Sequence, residues 1–457
     1  MDKQVPVGMP AALATAFFFG WSIVYSRGAY SEPALTFVLL GTIAVAWRYG
    51  AGFRAKTEEV PARVVAPLTW GTALAMAFFA YNDAESIIYP MASFLPGRQA
   101  QGWLLIGLLS YLPNFFQKVP DPKWVRHVRF AFLTLCVAAA GHAVIVASPM
   151  PRIDVWTVQQ QGANALWNGL NPFQAVHVAD TGPRTANDVP YVYPPLQLYI
   201  SAIAWKIAAD VRYAMLTSLL LLGWMLRTLV IRSKRELPAI LEDAPALFLW
   251  CTPKLWFILE QSWVDPVQVM WCTAMLTAAS FRKPWLTAVV AGLVLGAKQT
   301  MLLFVGLFGL GLRFTWKQWA VAGGVAFATF APWMLWDFKA WKHANFDFLA
   351  ALPVRPDALT YITWVKRKTG VDIPPSLAFP AAFAVAAFAA WKMRQSVAKL
   401  AMAAVATFTI FFVINKWAFA NYYFTLLGLA ALAAAVSIDV PDDAVAPPAP
   451  AAAPARS

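Results

Sequence analysis

The residues with the clearest capacity for chemistry lie in a polar, aromatic-rich stretch, 151–199, of a chain that is otherwise mostly apolar. It carries Asp154 a few residues after an apolar run and ends at Tyr193-Pro194-Pro195, where the next apolar run begins. Apolar side chains recur at helical spacing after Asp154, which predicts a helix along a membrane surface. An acid at its start can act as a general base, with a pKa set by burial and by neighbours such as Arg152. The local sequence alone favours a simpler role, in which Asp154 caps this helix.

A second candidate is the turn from Glu260 to Pro266, which separates two apolar runs. Its Gln261 and Asp265 would join Asp154 at one membrane surface, and two acids with an amide can position a polyhydroxyl substrate. Solvated turn residues beside a proline explain Asp265 equally well. The turn is therefore a hypothesis for substrate binding, and the structural alternative stays open.

Two lysines stand out against apolar surroundings. Lys298 interrupts the run 286–312, and a lysine at the membrane centre costs about 2.5–3.5 kcal/mol, so a function is the default hypothesis. If two short helices meet there at the surface, Lys298 is merely interfacial. Lys416 precedes Tyr422 near the last apolar run, where an aromatic belt with a snorkelling lysine is the commoner arrangement.

Composition is typical of an integral membrane protein. The chain has 457 residues, of which 60% are hydrophobic and 13% charged, and its mean hydropathy is +0.56. The net charge of +13 is typical of nucleic-acid-binding proteins as well, but the basic residues cluster at the ends of apolar runs, as the positive-inside rule predicts. The three cysteines lie inside apolar runs, and His177 and His343 are isolated, so neither a disulfide framework nor a metal site is expected.

The hydropathy pattern predicts an all-α integral membrane protein with about 13–15 membrane-embedded helices. The predicted spans are 10–27, 33–48, 65–81, 101–117, 129–149, 193–208, 213–231, 244–259, 266–281, 285–297, 299–312, 317–335, 376–391, 399–414 and 419–436. The Pro/Ala-rich tail, 437–457, is expected to be disordered.

Basic clusters orient these spans. They assign to the cytoplasm the loops near 48–63, 118–129, 232–235, 282–283 and 392–399. The loops 82–100, 150–193, 260–265, 336–375 and 415–418 are then external. One conflict remains, because two runs, 193–208 and 213–231, separate an external loop from a cytoplasmic one. Either 193–208 is re-entrant or packed against protein, or 232–237 breaks the rule. Likewise, the cations of 336–375 either reflect the weakness of the rule in longer loops or bind something anionic.

In their order along the chain, these motifs resemble the polytopic glycosyltransferases of the C superfamily, most closely the bacterial mannosyltransferase-like family 87 group. The resemblance runs from about Arg129 to the last span and rests on five steps after Asp154. These are Gly169-Leu170-Asn171-Pro172-Phe173, Tyr193-Pro194-Pro195-Leu196, Glu260-Gln261-Ser262-Trp263-Val264-Asp265, Gly296-Ala297-Lys298-Gln299 and Tyr422-Tyr423. Glu260 and Gln299 replace the usual glycine and proline, and the N-terminal spans are additional.

The resemblance implies a glycosyltransferase C-like fold, with an extra N-terminal transmembrane module, 1–128, and a catalytic region, 129–436, whose external loop 150–193 carries surface helices. It implies that Asp154 deprotonates an acceptor hydroxyl, which attacks, with inversion, a sugar such as mannose carried on polyprenyl phosphate. The acceptor would be a lipid or glycan at the external, periplasmic face of the bacterial inner membrane. No cofactor, metal or nucleic acid is implied.

The same resemblance requires cations near the external surface, because the leaving group is a lipid phosphate. The candidates, in falling order of preference, are Lys298, Lys416, Arg184 and Arg355. The remaining residues predicted to bind substrate are Gln261, Asp265, Tyr193 and Tyr422.

Two other classes of function remain open. A transporter would suit the many spans and the interruption at Lys298, although the two halves show no internal repeat of hydropathy and alternating access does not need the loop with Asp154. A structural or flippase-like subunit, with an inert Asp154, is the third hypothesis.

Overall fold

The computed structural model describes residues 3–26, 28–51, 58–82, 94–115, 121–151, 153–174, 177–179, 187–233, 235–393 and 396–438. Within them the α-helices are α1 (Gly8–Ser26), α2 (Glu32–Ala51), α3 (Ala62–Asn82), α4 (Phe94–Leu109), α5 (Lys123–Ala147), α6 (Asp154–Trp167), α7 (Pro195–Ala208), α8 (Arg212–Arg232), α9 (Ala239–Trp250), α10 (Leu255–Glu260), α11 (Asp265–Ser280), α12 (Pro284–Ala297), α13 (Leu302–Gly311), α14 (Trp316–Lys342), α15 (Phe348–Ala351), α16 (Tyr361–Thr369), α17 (Ala378–Lys392), α18 (Val397–Val413) and α19 (Ala420–Val436). Two short antiparallel strand pairs complete the described fold: β1 (Gln4–Pro6) with β2 (Glu59–Pro61), and β3 (His177–Ala179) with β4 (Asn187–Val189).

The all-α prediction is confirmed, and every predicted span coincides largely with helix. Six described helical segments are long and apolar enough to cross a membrane: 8–26, 62–81, 123–147, 212–232, 316–351 and 375–392. The predicted span 244–259 is divided, because the chain leaves helical geometry between Trp250 and Leu255 and forms α9 and α10. The tail predicted to be disordered, 437–457, lies outside the described residues from 439 onward.

The helices have local reasons to begin where they do. Prolines occupy the first turns of α7, α11 and α12, where the missing N–H would have no helical partner. At α14, Thr315 and Gln318 form a capping box, in which each side chain bonds to the backbone of the other. The cap at Thr315 thus fixes the start of α14, the longest described helix, two residues after Arg313.

The core is centred on α19, whose residues are almost all buried. The N-terminal helix α1 packs along α19. Gly20 allows the two helices to approach closely, since a Cβ there would lie 3.1 Å from Leu427 Cδ1. Gly428, on α19, similarly lies against Val269 of α11. The helices before residue 128 and those after it thus contribute to one hydrophobic core. The domain boundary at 128 stays a prediction.

The junctions between helices gather at two ends of the bundle, which we name by their chemistry. The basic end joins the segments around 58–62, 121–129, 232–239, 281–284 and 312–318. Examples of its contacts are Arg235 to Glu59 at 2.8 Å and Arg126 to the carbonyl of Leu237 at 3.0 Å. The site end joins the starts of α11 and α19 to the end of α12, and it joins 355–359 to 416–418. The described parts of the loops near 48–63, 118–129, 232–235 and 282–283, which are predicted to be cytoplasmic, thus meet at the basic end. Parts of the predicted external loops 260–265, 336–375 and 415–418 meet at the site end, and the compartments stay predictions.

Helix α7 explains the conflict in the predicted crossings. It has 14 residues, about 21 Å, which is shorter than a ~30 Å hydrocarbon core. Near its start Gln197 bonds to Gln159 of α6, and just past its end the carbonyl of Ala209 accepts from Gln160 of the same helix at 2.6 Å. Because both ends of α7 contact α6, α7 stays at the site end and α8 alone continues to the basic end.

The cations of 336–375 mostly bind acids and carbonyls of the chain itself. Lys342 pairs with Asp347, Arg355 with Asp357, Lys366 with Asp372 and Lys368 with Glu32, at 2.6–2.7 Å. Lys368 connects the segment to the start of α2, and the other three pairs are local. Each of these four cations thus has an acidic partner within the chain.

The position of α7 predicts a labelling pattern. In a variant whose three cysteines are replaced, single cysteines at Asn168 and Ala208 should react with a membrane-impermeant thiol reagent from one side of sealed vesicles. A cysteine at Glu236, at the basic end, should react only from the other side. Labelling of 208 and 236 from the same side would contradict this topology.

Candidate functional site

The site end contains a fully buried carboxylate, Asp265, at the first position of α11. Thr425 donates to its Oδ1 at 2.7 Å, and Asn421 donates to its Oδ2 at 2.9 Å. Asn421 and Thr425 lie four residues apart, and therefore on one face of α19. Lys298 Nζ lies 3.4 Å from Asp265 Oδ1. A buried charge needs such partners, because without them its desolvation costs several kcal/mol.

Lys298 is located where two helices meet. Helix α12 ends at Ala297, Lys298 is extended, and a 3₁₀ turn, Gln299–Met301, leads into α13. Besides Asp265, the ammonium lies over the ring of Tyr422, 4.7 Å from its centroid, a cation–π arrangement. This geometry matches the interpretation in which two short helices meet at a surface, and the lysine is 14% exposed. The side chain of Lys298 therefore remains partly accessible.

Asp154 is the first residue of α6, one position beyond the helix cap, Ile153. The Val155 amide donates to its Oδ1 at 2.8 Å, so the carboxylate stabilises the helix start without occupying the capping position. The residue is partly exposed. Burial raises the pKa of the Asp154 carboxyl above its ordinary value, while the Val155 amide and the Arg355 cation act in the opposite direction. An accessible acid with a raised pKa is suited to accept a proton.

Tyr193 is a buried phenol whose pKa responds to both acids. Burial raises the pKa of Tyr193 well above its ordinary value, and the charges of Asp154 and Asp265 add to this. The hydrogen bond from Gln159 of α6 to the carbonyl of Ser262, at 2.8 Å, likewise connects this part of the chain to the turn before α11. Tyr193 also packs edge-on against Tyr191, whose ring covers Gly162 of α6 at a distance that excludes a Cβ.

Arg355 and Lys416 have partners at the rim of this site. Arg355 forms a two-pronged ion pair with Asp357, which raises the pKa of the guanidinium, and it lies over the ring of Phe419.

Lys416 donates to the carbonyls of Leu349, Ala350 and Leu352 at 2.9–3.3 Å, and burial lowers its pKa. The geometry therefore gives Lys416 a structural role at the end of α15. Its role as a phosphate ligand stays a prediction.

Of the other predicted residues, Gln261 is buried in the turn before α11, and its Nε2 has no hydrogen-bond partner among the described residues. Tyr422 is the ring beneath Lys298. Arg184 lies outside the described residues.

Sequence reasoning missed Asn421 and Thr425, although two polar residues at helical spacing in the first turns of an otherwise apolar helix were a usable signal.

Comparison of the chain with protein-family models, with curated proteins and with solved structures finds no match. The resemblance to glycosyltransferases stays a prediction, and the function has to be inferred from the chemistry of the site. That chemistry combines an accessible carboxylate, a partly exposed ammonium and aromatic rings at one end of an apolar bundle. Such a site can bind a lipid-linked anion and take a proton from a hydroxyl group.

The buried ion pair between Asp265 and Lys298 predicts a loss of stability when the lysine is removed. Removing one partner of a buried pair costs about 3–5 kcal/mol. Because Thr425 and Asn421 still hold Asp265, we expect Lys298→Met to destabilise by about 3 kcal/mol, at the low end of that range. Thermal unfolding in nanodiscs measures the change.

Two comparisons control this experiment. Lys342→Met removes the exposed pair with Asp347 and should cost at most about 1 kcal/mol. In an Asp265→Asn background, Lys298→Met should cost clearly less than in the wild type. Equal costs in both backgrounds would show that the two side chains are not coupled.

Proposed function

We propose that this chain is an inverting membrane glycosyltransferase that uses a polyprenyl-phosphate sugar, mannose or similar, and transfers it to a lipid or glycan acceptor. The proposal includes a bacterial inner-membrane location with the site end on the external face. Its main support is that Gln159, on the helix that begins at Asp154, donates to the carbonyl of Ser262 at 2.8 Å in the turn before Asp265, since this joins an accessible acid to the Asp265–Lys298 pair. The apolar helices around them suit a substrate with a lipid tail.

In this reaction Asp154 takes the proton of the acceptor hydroxyl as its oxygen attacks the anomeric carbon. The new C–O bond forms on one face, while the bond to the phosphate oxygen breaks on the other. The bonding electrons leave with the phosphate, so the configuration inverts and the products are a glycoside and polyprenyl phosphate. A base with a raised pKa retains the proton more readily than an ordinary aspartate, which favours this step.

The leaving phosphate gains negative charge and needs cations nearby. Lys298 is the best-placed described cation, because it is partly exposed and at a helix break next to the acids. Arg355 is a second, since it is about 40% exposed and interacts with Asp154. Both already have acidic partners, so the phosphate would share them with Asp265 and Asp357.

A transporter is the alternative with a specific observation in its favour. The break between α12 and α13 places a charged residue at a helix end within an apolar bundle, as in many transport sites. Transport does not require a base, whereas transfer does. Asp154 therefore separates the two hypotheses.

Asp154→Asn should lower the rate of sugar transfer by about 10²–10⁴-fold, the usual contribution of a general base. The assay uses purified protein in liposomes, radiolabelled polyprenyl-phosphate mannose or arabinose as donor, and lipid and glycan extract of the native membranes as acceptor. Asp347→Asn, which changes an exposed carboxylate paired with Lys342, is the matched control and should retain activity. Transfer at the wild-type rate by Asp154→Asn would exclude the base role, and solute uptake without a glycosyl product would favour the transporter.

Arg355 should set the acidic limit of activity. Asp154 must be ionised to act as a base, so kcat/KM falls as the pH drops through its pKa. The Arg355 cation lowers that pKa; Arg355→Gln should therefore raise it and move the acidic limb of the kcat/KM profile to higher pH. Arg355→Lys keeps the charge and should move the limb less. An unchanged limb in Arg355→Gln would show that Asp154 is not the group that titrates.

A further inference from the structure

A buried amide on α6, Gln159, lies at the centre of a network that no part of the proposed reaction uses. Gln159 is fully buried. Its Nε2 donates to the carbonyl of Ser262 at 2.8 Å and lies 3.3 Å from the Ser262 hydroxyl. Its Oε1 accepts from Gln197 Nε2 at 3.0 Å and from the Ser201 hydroxyl at 3.1 Å. One side chain thus joins α6, α7 and the turn before α11.

Each of these elements carries a residue of the site a few positions away. Asp154 lies about one and a half helical turns before Gln159 on α6. Tyr193 lies just before α7, four residues ahead of Gln197, and Asp265 follows Ser262 by three residues. The network therefore connects the three parts of the chain that place the two acids and the phenol.

The turn that Gln159 holds is conformationally strained. Ser262 has φ +57°, in the left-handed region that residues other than glycine rarely adopt. Such a backbone conformation persists only where the surroundings fix it. The bond from Gln159 to the Ser262 carbonyl is one of the contacts that fix it, and Ser262 itself is fully buried.

We propose that Gln159 is a positioning residue, which fixes Asp154 on α6 relative to the turn that carries Asp265. The proposal rests on the proposed function for its effect on rate, but its structural part does not. Without the amide, α6 and the turn lose the direct bonds that Gln159 makes to Ser262, and Asp154 is no longer held at one distance from the substrate site. A misplacement of about 1 Å can cost about 10²-fold in rate.

The test compares two neighbouring glutamines of the same helix. Gln159→Met keeps the length of the side chain and removes the network. Gln160→Met is the matched control, because Gln160 bonds to the Ala209 carbonyl and to the Val211 amide, on another side of α6. For donor transfer, Gln159→Met should lower kcat by about 10²-fold with KM changed less than about threefold. Gln160→Met should leave both within about threefold of the wild type.

Hydrogen–deuterium exchange in nanodiscs provides a readout that needs no activity. In Gln159→Met, amides of 153–159 and 262–265 should exchange faster than in the wild type and in Gln160→Met, while α19 stays protected. A wild-type exchange pattern in Gln159→Met would overturn the inference, and so would faster exchange with an unchanged kcat. If the wild type transfers no sugar, the proposed function fails, and the exchange comparison alone decides whether Gln159 positions the turn.

Discussion

The burial of one carboxylate, Asp265, is the constraint on which the rest of the site end depends. An acid with no exposed surface is tolerated only where charge and hydrogen-bond partners surround it. Lys298 provides the charge from the end of α12, and Asn421 and Thr425 provide two donors from the start of α19. The start of α11, the end of α12 and the start of α19 must therefore lie at the same place. The site results from this convergence, and its lysine is kept at the surface of an apolar bundle.

The same end of the bundle receives Asp154 by a different route. Helix α6 lies against α7, and α7 stays at this end because it is bonded to α6 at both ends. The accessible acid is thus carried by a pair of helices at the margin, and the buried acid by the bundle itself. Such a division suits an enzyme in which one carboxylate must meet a substrate and the other must hold the structure around a cation.

Much of the fold was predictable from the sequence, because apolar runs and basic clusters report helices and their ends directly. The run 193–208 was recognisable as exceptional from its prolines and its charge context. The partners of Asp265 were not predictable, since Lys298 lies 33 residues away and Thr425 lies 160. The carbonyl partners of Lys416, in and just after α15, were not predictable either, because tertiary packing alone sets them; its role as a phosphate ligand stays a prediction. Local patterns indicate that a polar residue is unusual, but only packing determines what it contacts.

The central claim is that Asp154 and Lys298 face one lipid-phosphate substrate. The most direct measurement is an electron cryomicroscopy structure with a non-hydrolysable phosphonate analogue of a polyprenyl-phosphate sugar. We expect the phosphonate within hydrogen-bonding distance of Lys298 or Arg355, and the anomeric carbon on the side that faces Asp154. An analogue bound away from these cations, or with Asp154 facing away from the sugar, would contradict the claim.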